Sequence, residues 1–284
     1  MKRILTATVL IAIVLGVIFF GNGIAMSVLA CVIALLAAYE YAELTRSGGA
    51  GVPVWWLLPA IVLLFAQSQF LPLEGPLPLL SFLGLSLFTF AAFLYARSNQ
   101  LDRVLPTAAE GFFGLIYVGY PLMLLPMFAA KENGKTLLVF LMLVVWTGDI
   151  AALYIGKAFG KRKLAPALSP NKTWEGAIAS ALGSMIIAGV LAAVCQAVGQ
   201  HGTTILHISE PLWQTLLLAL LVNIAAQVGD LVESAVKRGV GVKDSGTLLP
   251  GHGGVLDRID ALLVAAPVLW YLLLLKDSAG LGGF

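Results

Sequence analysis

The sequence predicts an all-α integral membrane protein with about nine transmembrane helices, its N-terminus in the cytoplasm and its C-terminus outside. The first observation is composition: the mean hydropathy is +0.95, and only 11% of the 284 residues are charged. The second is that apolar runs of about 20 residues, the length of a membrane-crossing helix, recur along the whole chain. The third is that lysine and arginine are distributed unevenly between the connecting loops.

The first apolar run ends near Phe20 and follows the basic start Met1-Lys2-Arg3. A signal peptide has the same pattern, but no clear small-x-small cleavage site follows, so we predict an uncleaved first helix. We expect a single polytopic membrane domain over residues 1–284, with N-terminal helices in 1–130 and catalytic helices and loops in 136–275. The eight further spans lie at residues 24–44, 54–72, 77–96, 110–129, 136–156, 174–198, 213–236 and 255–275.

The charges in the loops predict the orientation. With nine spans, the N-terminus and the loops after even-numbered spans share one side, and that side holds 14 of the 17 lysines and arginines. The other side holds Lys131, Lys135 and Lys276. Because cytoplasmic loops are enriched in lysine and arginine, we expect the side with 14 cations to face the cytoplasm.

Most of the unusual chemistry lies in one stretch, Ser234 to Asp260, at the connection between spans eight and nine. A loop that only joined two membrane helices would not need its many charges or its glycine-rich turn, Pro250-Gly251-His252-Gly253-Gly254. Cations, carboxylates and exposed backbone amides together suit a phosphate and metal site. The charged or titratable residues of the stretch are Lys237, Arg238, Lys243, Asp244, His252, Asp257, Arg258 and Asp260.

A polar stripe follows predicted span eight. Asn223, Gln227, Asp230, Ser234 and Lys237 step by four, three, four and three residues, so they share one face of a helix. Polar side chains inside hydrocarbon turn toward protein or a wet cavity. For Asn223 and Gln227 two interpretations stay open, hydrogen bonding between helices and a functional site. Asp230 needs a cation or a metal, because a carboxylate near the membrane is costly alone.

Predicted span nine begins with two acids. Asp257 and Asp260 lie at i and i+3, on neighbouring positions of one helical face, after the glycine-rich turn. Glycines such as Gly253 and Gly254 let the backbone approach a phosphate, and a helix N-terminus offers free amides. The alternative interpretation is a capped helix start whose acids pair with Arg258.

A second polar loop joins spans six and seven on the same predicted side. Thr173 and Glu175 are typical of a helix start, which leaves Ser169 and Lys172 able to meet phosphate oxygens. Three further cations of this loop are expected to serve topology and anionic lipid headgroups: Lys161, Arg162 and Lys163.

Four other residues receive plainer interpretations. Glu40 and Glu43 end span two at the predicted cytoplasmic face, and we interpret them as interfacial rather than catalytic. Cys31 and Cys195 lie in apolar runs and are predicted to be small core residues rather than a disulfide or metal site.

The pattern S-x-V-K-R-x4-K-D-x-G-x2-L-P-x-H-G-G-V-x-D-R-I-D at residues 234–260 resembles the signature of the CDP-diacylglycerol synthases, or phosphatidate cytidylyltransferases. The element S-P-x-K-T-x-E-G at residues 169–176 resembles the same family, as does Asp149. The family has Ala-Tyr three and four residues after this acid, whereas this chain has Ala152-Leu153-Tyr154, so no role is carried over to Tyr154. The resemblance covers residues 146–260 well.

The resemblance implies that CTP and phosphatidic acid react to give CDP-diacylglycerol and pyrophosphate. It implies a multi-pass protein of the inner cell membrane whose active site faces the cytoplasm, because CTP is confined there. It also implies Mg²⁺ as the cofactor, bound by Asp230 and Asp257, and no nucleic-acid partner, while a homodimer stays open. The alternative for Asp230 is a structural ion pair with Lys237 or Arg258.

The candidate site residues follow from the motifs and from this resemblance. The catalytic candidates are Asp230, Asp257, Lys237, Arg238 and Asp260. The substrate-binding candidates are Ser169, Asn171, Lys172, Thr173, Ser234, Lys243, Asp244, His252, Gly253, Gly254, Arg258 and Asp149.

Two alternative functions stay open. A CTP-dependent polyprenol or phytol kinase would transfer the γ-phosphate of CTP, but it would lack the full H-G-G-x-x-D-R-x-D signature of this chain. A secondary transporter would place its charges near the membrane midplane in pseudo-symmetric halves. The charges here cluster at one predicted face and in one half of the sequence.

Overall fold

Apolar helices dominate the computed structural model, which describes residues 2–48, 51–70, 77–98, 100–199, 206–208, 210–249, 251 and 253–278. A 3₁₀ turn at Leu101–Arg103 precedes the fifth helix, and a π-helical turn at Leu115–Gly119 joins the fifth to the sixth. The strands β1 (Lys163–Ala165) and β2 (Ser169–Thr173) pair antiparallel. The helices are α1 (Lys2–Phe20), α2 (Gly23–Gly48), α3 (Val54–Phe70), α4 (Leu77–Ser98), α5 (Val104–Gly114), α6 (Tyr120–Ala129), α7 (Gly134–Phe159), α8 (Trp174–Gly199), α9 (Leu212–Gly239) and α10 (Leu256–Ser278).

The prediction of a helical integral membrane protein is confirmed, but the count of nine spans is not. The helices at predicted spans one and three offer shorter apolar segments, Thr8–Phe20 and Val54–Phe70. Seventeen helical residues rise about 26 Å, less than a hydrocarbon core of about 30 Å. The orientation of the termini depends on the count and therefore stays a prediction. Among the described residues, seven stretches are long and apolar enough to cross a membrane: Gly23–Gly48, Leu79–Ala96, Leu101–Ala129, Gly134–Phe159, Trp174–Val198, Leu212–Gly239 and Leu256–Ser278.

The chain divides into two units, and their boundaries fall inside α1, α2, α6, α9 and α10. The predicted organisation as one polytopic domain stays a prediction. The first unit comprises Met1–Val17, Ile24–Met123 and Val236–Ile259, and the second comprises Ile18–Gly23, Leu124–Ala235 and Asp260–Phe284.

In the first unit, the C-terminal half of α2 is fixed by contacts with α5 and with the α2–α3 connection. Tyr41 is buried, and its hydroxyl donates to the carbonyl oxygen of Glu110 at 2.8 Å. Gly114 leaves room for the Tyr41 ring, since a Cβ there would lie 2.7 Å from it. The Val52 amide donates to Thr45 Oγ1 at 3.1 Å. This half of α2 also carries Glu40.

In the second unit, a buried polar network joins α7, α8 and α9. Asn223, 1% exposed, donates from Nδ2 to Ser180 Oγ at 2.9 Å and to Ser184 Oγ at 2.8 Å. Ser184 Oγ donates to the carbonyl oxygen of Val144 at 2.6 Å, and Gln227 Nε2 donates to Asn223 Oδ1 at 2.7 Å. These contacts favour the helix-joining interpretation of Asn223 and Gln227.

Within the same unit, α9 and α10 approach closely at Gly229. A Cβ at this position would lie 2.5 Å from the carbonyl oxygen of Asp260 and 3.2 Å from the Cα of Ala261. A larger residue would push the two backbones apart, so Gly229 sets their separation beside the predicted site residue Asp260.

Candidate active site

The β-hairpin carries the motif Ser169–Thr173 to the start of α8. Its two strands pair antiparallel, a small sheet that the sequence did not predict. Thr173 is buried, and its Oγ1 accepts a hydrogen bond from the Gly176 amide at 3.2 Å, which caps the helix. The predicted helix start is confirmed, since α8 begins at Trp174.

Glu175 fixes the entry to this hairpin through hydrogen bonds with the main chain. Its carboxylate accepts from the backbone amides of Lys161 and Arg162, at 3.1 and 3.2 Å. The side chains of these two cations, and that of Lys163, are exposed. Exposed cations of this kind fit the predicted role in topology and headgroup contact.

Lys172 of β2 and Asp230 of α9 form an ion pair within the second unit. Lys172 Nζ lies 2.6 Å from Asp230 Oδ2. Asp149 of α7 lies within electrostatic range of both charges. The cation that the sequence required for Asp230 is therefore Lys172 in this unit, because β2 brings it to α9.

The C-terminus of α9 places two cations in different surroundings. Gly241 adopts a left-handed φ of 76°, and its amide donates to the carbonyl oxygen of Arg238 at 3.1 Å. The Val242 amide donates to the carbonyl oxygen of Lys237 at 3.0 Å, which completes a Schellman motif. Arg238 is exposed and donates from Nη1 to the Val242 carbonyl oxygen at 2.8 Å. Lys237 instead turns inward.

Asp257, in the first turn of α10, lies inside a set of hydrogen-bond donors. Lys237 Nζ donates to Asp257 Oδ1 at 2.6 Å. The Ser245 amide donates to both carboxylate oxygens, at 3.2 and 3.1 Å, and the Gly254 amide donates to Oδ2 at 3.0 Å. The side chains of Lys237 and Asp257 are only 12% and 10% exposed. The cation and the amides that the sequence suggested for a phosphate therefore hold this carboxylate.

A buried carboxylate of α2, Glu40, contacts the same loop. Its Oε2 accepts from the Leu256 amide at 2.9 Å and from the Ser245 hydroxyl at 3.2 Å. Its Oε1 is buried and has no hydrogen-bond partner among the residues that the structure describes, and the residue is 2% exposed. The prediction that Glu40 is interfacial is wrong, because the loop between α9 and α10 packs over this part of α2. Glu43 remains 41% exposed and lies 3.0 Å from Arg46.

Sequence reasoning missed Glu40 and Ser245 as parts of the site. A signal for Glu40 is present in the sequence, because it is an acid between Tyr39 and Tyr41 in an otherwise apolar run of a helix. Ionisable residues in membrane segments usually have functional partners. Ser245 carries no such signal, since serine is ordinary in a polar loop.

The remaining predicted site residues differ in exposure. His252 lies outside the described residues. Gly253 adopts a left-handed φ of 81°. Asp260 Oδ1 accepts from the Ala261 amide at 2.9 Å. Ser169 and Asp260 are half-buried, Ser234 is buried, and Asn171, Lys243, Asp244 and Arg258 are exposed.

The predicted residues come together within each unit separately. Among the residues that the structure describes, no three His, Cys, Asp or Glu side chains form a group that could hold a metal ion. Asp230 and Asp257 belong to different units, so their shared role as magnesium ligands stays a prediction. The first unit assembles Lys237, Gly254 and Asp257, and the second assembles Asp149, Lys172 and Asp230.

Known proteins resemble this chain over nearly its full length. A family model described as "Cytidylyltransferase family" matches residues 1–276. A protein of Brucella suis biovar 1 named phosphatidate cytidylyltransferase is 38% identical over 273 residues, which cover 94% of this chain and 91% of that protein.

Two relatives from other bacteria carry the same name. The Pseudomonas aeruginosa protein is 37% identical over 281 residues, with 96% of each chain covered. The Bacillus subtilis protein is 34% identical over 284 residues, which cover 96% of this chain and 97% of that protein.

Proposed function

Because the chain belongs to the cytidylyltransferase family, we propose that it is a phosphatidate cytidylyltransferase, which transfers CMP from CTP to phosphatidic acid. The observation that carries the proposal is the near full-length match to relatives of that name from different bacteria. The charged residues of the family signature also meet in the structure, where Lys237 and the Gly254 amide both contact Asp257.

The reaction joins two phosphates, so its main demand is the neutralisation of charge. A phosphate oxygen of phosphatidic acid attacks the α-phosphorus of CTP, and the bond from that phosphorus to the bridging oxygen breaks as pyrophosphate leaves. A phosphate monoester is already a nucleophile, so the protein mainly positions the reactants and stabilises negative charge. The residues proposed for this role are Lys172, Lys237, Arg238, Lys243 and Arg258.

Asp230 and Asp257 remain the carboxylates that we propose for magnesium. Their chemistry fits the ion, because Mg²⁺ prefers oxygen ligands and commonly takes one or two protein carboxylates, with waters and phosphate oxygens as the rest. Bound magnesium would supply further charge neutralisation at the phosphates. Each carboxylate has a lysine at 2.6 Å within its own unit, so each lysine has a counterion before the anionic substrates bind.

The multi-pass helical chain is proposed to lie in the cell membrane with its polar loops at the cytoplasmic face. CTP is a polyanion confined to the cytoplasm, whereas the phosphate of phosphatidic acid lies at the headgroup level. An enzyme that joins them needs its charged residues at helix ends that are open to water and lipid. The uneven distribution of lysine and arginine supports this orientation.

The experiment that tests the function follows the label of CTP into lipid. Purified protein is incubated with phosphatidic acid, magnesium and CTP labelled on either the α- or the γ-phosphate. Transfer of CMP places the α-label in lipid and the γ-label in pyrophosphate. A polyprenol or phytol kinase, supplied with its own lipid, would place the γ-label in lipid instead. Lipid that stays free of α-label would refute the proposed function.

A further inference from the structure

Glu40 is a buried acid to which the proposed reaction assigns no role. It lies in an apolar stretch of α2 and is 2% exposed. A buried carboxylate is costly unless donors satisfy it, and within the described part of the chain one oxygen, Oε1, has no hydrogen-bond partner. Stability alone would favour an uncharged residue, so the acid calls for a role in which its charge and reach matter.

Glu40 Oε2 holds two points of the loop between α9 and α10. It accepts from the Leu256 amide, at the start of α10, and from the Ser245 hydroxyl. The free amides of a helix N-terminus carry partial positive charge, so a carboxylate is favourable there. Glu40 therefore caps α10 from another helix, through a contact between residues 216 positions apart.

Ser245 connects Glu40 to Asp257. Its hydroxyl donates to Glu40 and accepts from the Asp257 amide at 3.3 Å. Its own amide donates to both carboxylate oxygens of Asp257. One serine thus ties the Glu40 carboxylate to the main chain and to the side chain of Asp257, and a displaced Glu40 would disturb the donors around Asp257.

Two glycines allow the loop to close on Glu40. A Cβ at Gly246 would lie 2.5 Å from Glu40 Oε1. A Cβ at Gly254 would lie 2.5 Å from Glu40 Oε2 and would overlap Ser245 Oγ. Gly254 is also the residue whose amide donates to Asp257. Because Gly254 has no side chain, its backbone can lie against the Glu40 carboxylate while the Gly254 amide donates to Asp257.

We propose that Glu40 is a positioning residue for cytidylyl transfer. It acts through Ser245, Gly254 and the first turn of α10, and it keeps Asp257 in the orientation that the reaction needs. The inference rests on the proposed function, because its readout is the transfer of CMP to lipid. Small displacements of groups at a reacting centre lower the turnover number more than they weaken substrate binding. Loss of Glu40 is therefore expected to appear mainly in kcat.

The test compares Glu40→Gln and Glu40→Ala with the matched control Glu43→Gln in the full-length protein. Glu43 lies near the end of the same helix, but it is 41% exposed and pairs with Arg46. We expect Glu40→Gln to lower kcat about 10-fold and Glu40→Ala about 100-fold, with KM for CTP changed less than about threefold. Glu43→Gln should stay within about twofold of the wild type.

The melting temperature separates positioning from a purely structural role. Glutamine keeps the size of Glu40 and one acceptor oxygen, so Glu40→Gln should melt close to the wild type in detergent. If kcat per folded molecule equals that of the wild type in both Glu40 variants, the proposal is overturned, whatever their melting temperatures. A wild-type protein that places no α-label in lipid would instead refute the proposed function.

A second variant tests the connection through Ser245. Glu40 and Ser245 are in direct contact and act on the same group, so their effects should not be independent. We expect the loss of kcat in the double variant Glu40→Gln/Ser245→Ala to be smaller than the product of the two single losses. Single losses that multiply in full would overturn the role of Ser245 as the connection.

Discussion

Replacement of Asp257 by asparagine removes a charge from the most enclosed ion pair of the candidate site. Asparagine has the same shape, but it removes the carboxylate charge that Lys237 Nζ contacts at 2.6 Å, and the side chain of Lys237 is only 12% exposed. The Asp257 carboxylate accepts hydrogen bonds from the amides of Ser245 and Gly254. The NH₂ group of asparagine would face at least one of these two donors and could not accept from it. Asp257→Asn is therefore expected to destabilise the protein as well as to abolish transfer of CMP.

The magnitude follows from the burial of the pair. Removal of one partner of a buried ion pair costs about 3–5 kcal/mol, because the other charge is left uncompensated. The lower end applies here, since the asparagine oxygen can still accept from one backbone amide. A loss of about 3 kcal/mol corresponds to a fall in melting temperature of roughly 5 °C for a chain of 284 residues.

The assay is thermal unfolding in detergent of Asp257→Asn, Lys237→Met and the double variant. Lys237 and Asp257 contact each other directly, so the double variant should be destabilised by less than the sum of the single variants. The exposed pair Glu43–Arg46 is the matched control, because surface pairs contribute under about 1 kcal/mol. If Asp257→Asn has the melting temperature of the wild type, the ion pair does not stabilise the protein. If the losses of the two single variants add up in full in the double variant, Lys237 and Asp257 are not energetically coupled.

Three further predictions concern other parts of the chain. Arg238→Met should lower turnover by about one to two decades without a change in melting temperature, because this exposed cation is proposed to meet a phosphate; wild-type turnover would reduce it to a topology signal. Asn223→Ala should lower the melting temperature but leave kcat per folded molecule unchanged, since it removes the centre of a buried network; a lower kcat would instead indicate a functional site. In a variant without Cys31 and Cys195, expressed in intact cells, Thr204→Cys should react with a membrane-impermeant thiol reagent and Lys163→Cys should not. The reverse labelling pattern would overturn the proposed orientation.

The helices themselves were predictable, because apolar runs about 20 residues long leave few alternatives to membrane helices. The start of α8 was also predictable, since Thr173 offers an N-cap oxygen and the structure uses it. The number of spans was not, because hydropathy locates an apolar run more reliably than it measures a helix. The helix Val54–Phe70 has 17 residues, too few to decide the matter by length.

The partners of the charged residues could not be read from the sequence. Lys172 pairs with Asp230 only because a short polar hairpin brings it to α9. Lys237 turns toward Asp257, whereas the adjacent Arg238 remains exposed. Both pairings depend on the path of the loop that follows a helix, whereas sequence periodicity describes only the faces of a single helix.

Glu40 shows the same limit at a longer range. Its partners Ser245 and Leu256 lie more than 200 positions away in the chain. The sequence revealed an acid in an apolar helix, but nothing local distinguished a residue at the interface from one that caps a distant helix. Gly246 and Gly254, which contact the carboxylate, lie in the stretch Ser234 to Asp260. Because that stretch was interpreted as a phosphate and metal site, nothing in the sequence separately indicated their contact with Glu40.

The stoichiometry of the reaction catalysed by the purified protein distinguishes transfer of CMP from transfer of a phosphate. Protein reconstituted into vesicles that contain phosphatidic acid is supplied with CTP and magnesium, and the lipid product and released phosphates are quantified together. We expect one CDP-diacylglycerol for each pyrophosphate, with no product from the Asp257→Asn protein. Release of CDP together with a phosphorylated lipid, or equal yields from the wild type and Asp257→Asn, would contradict this expectation.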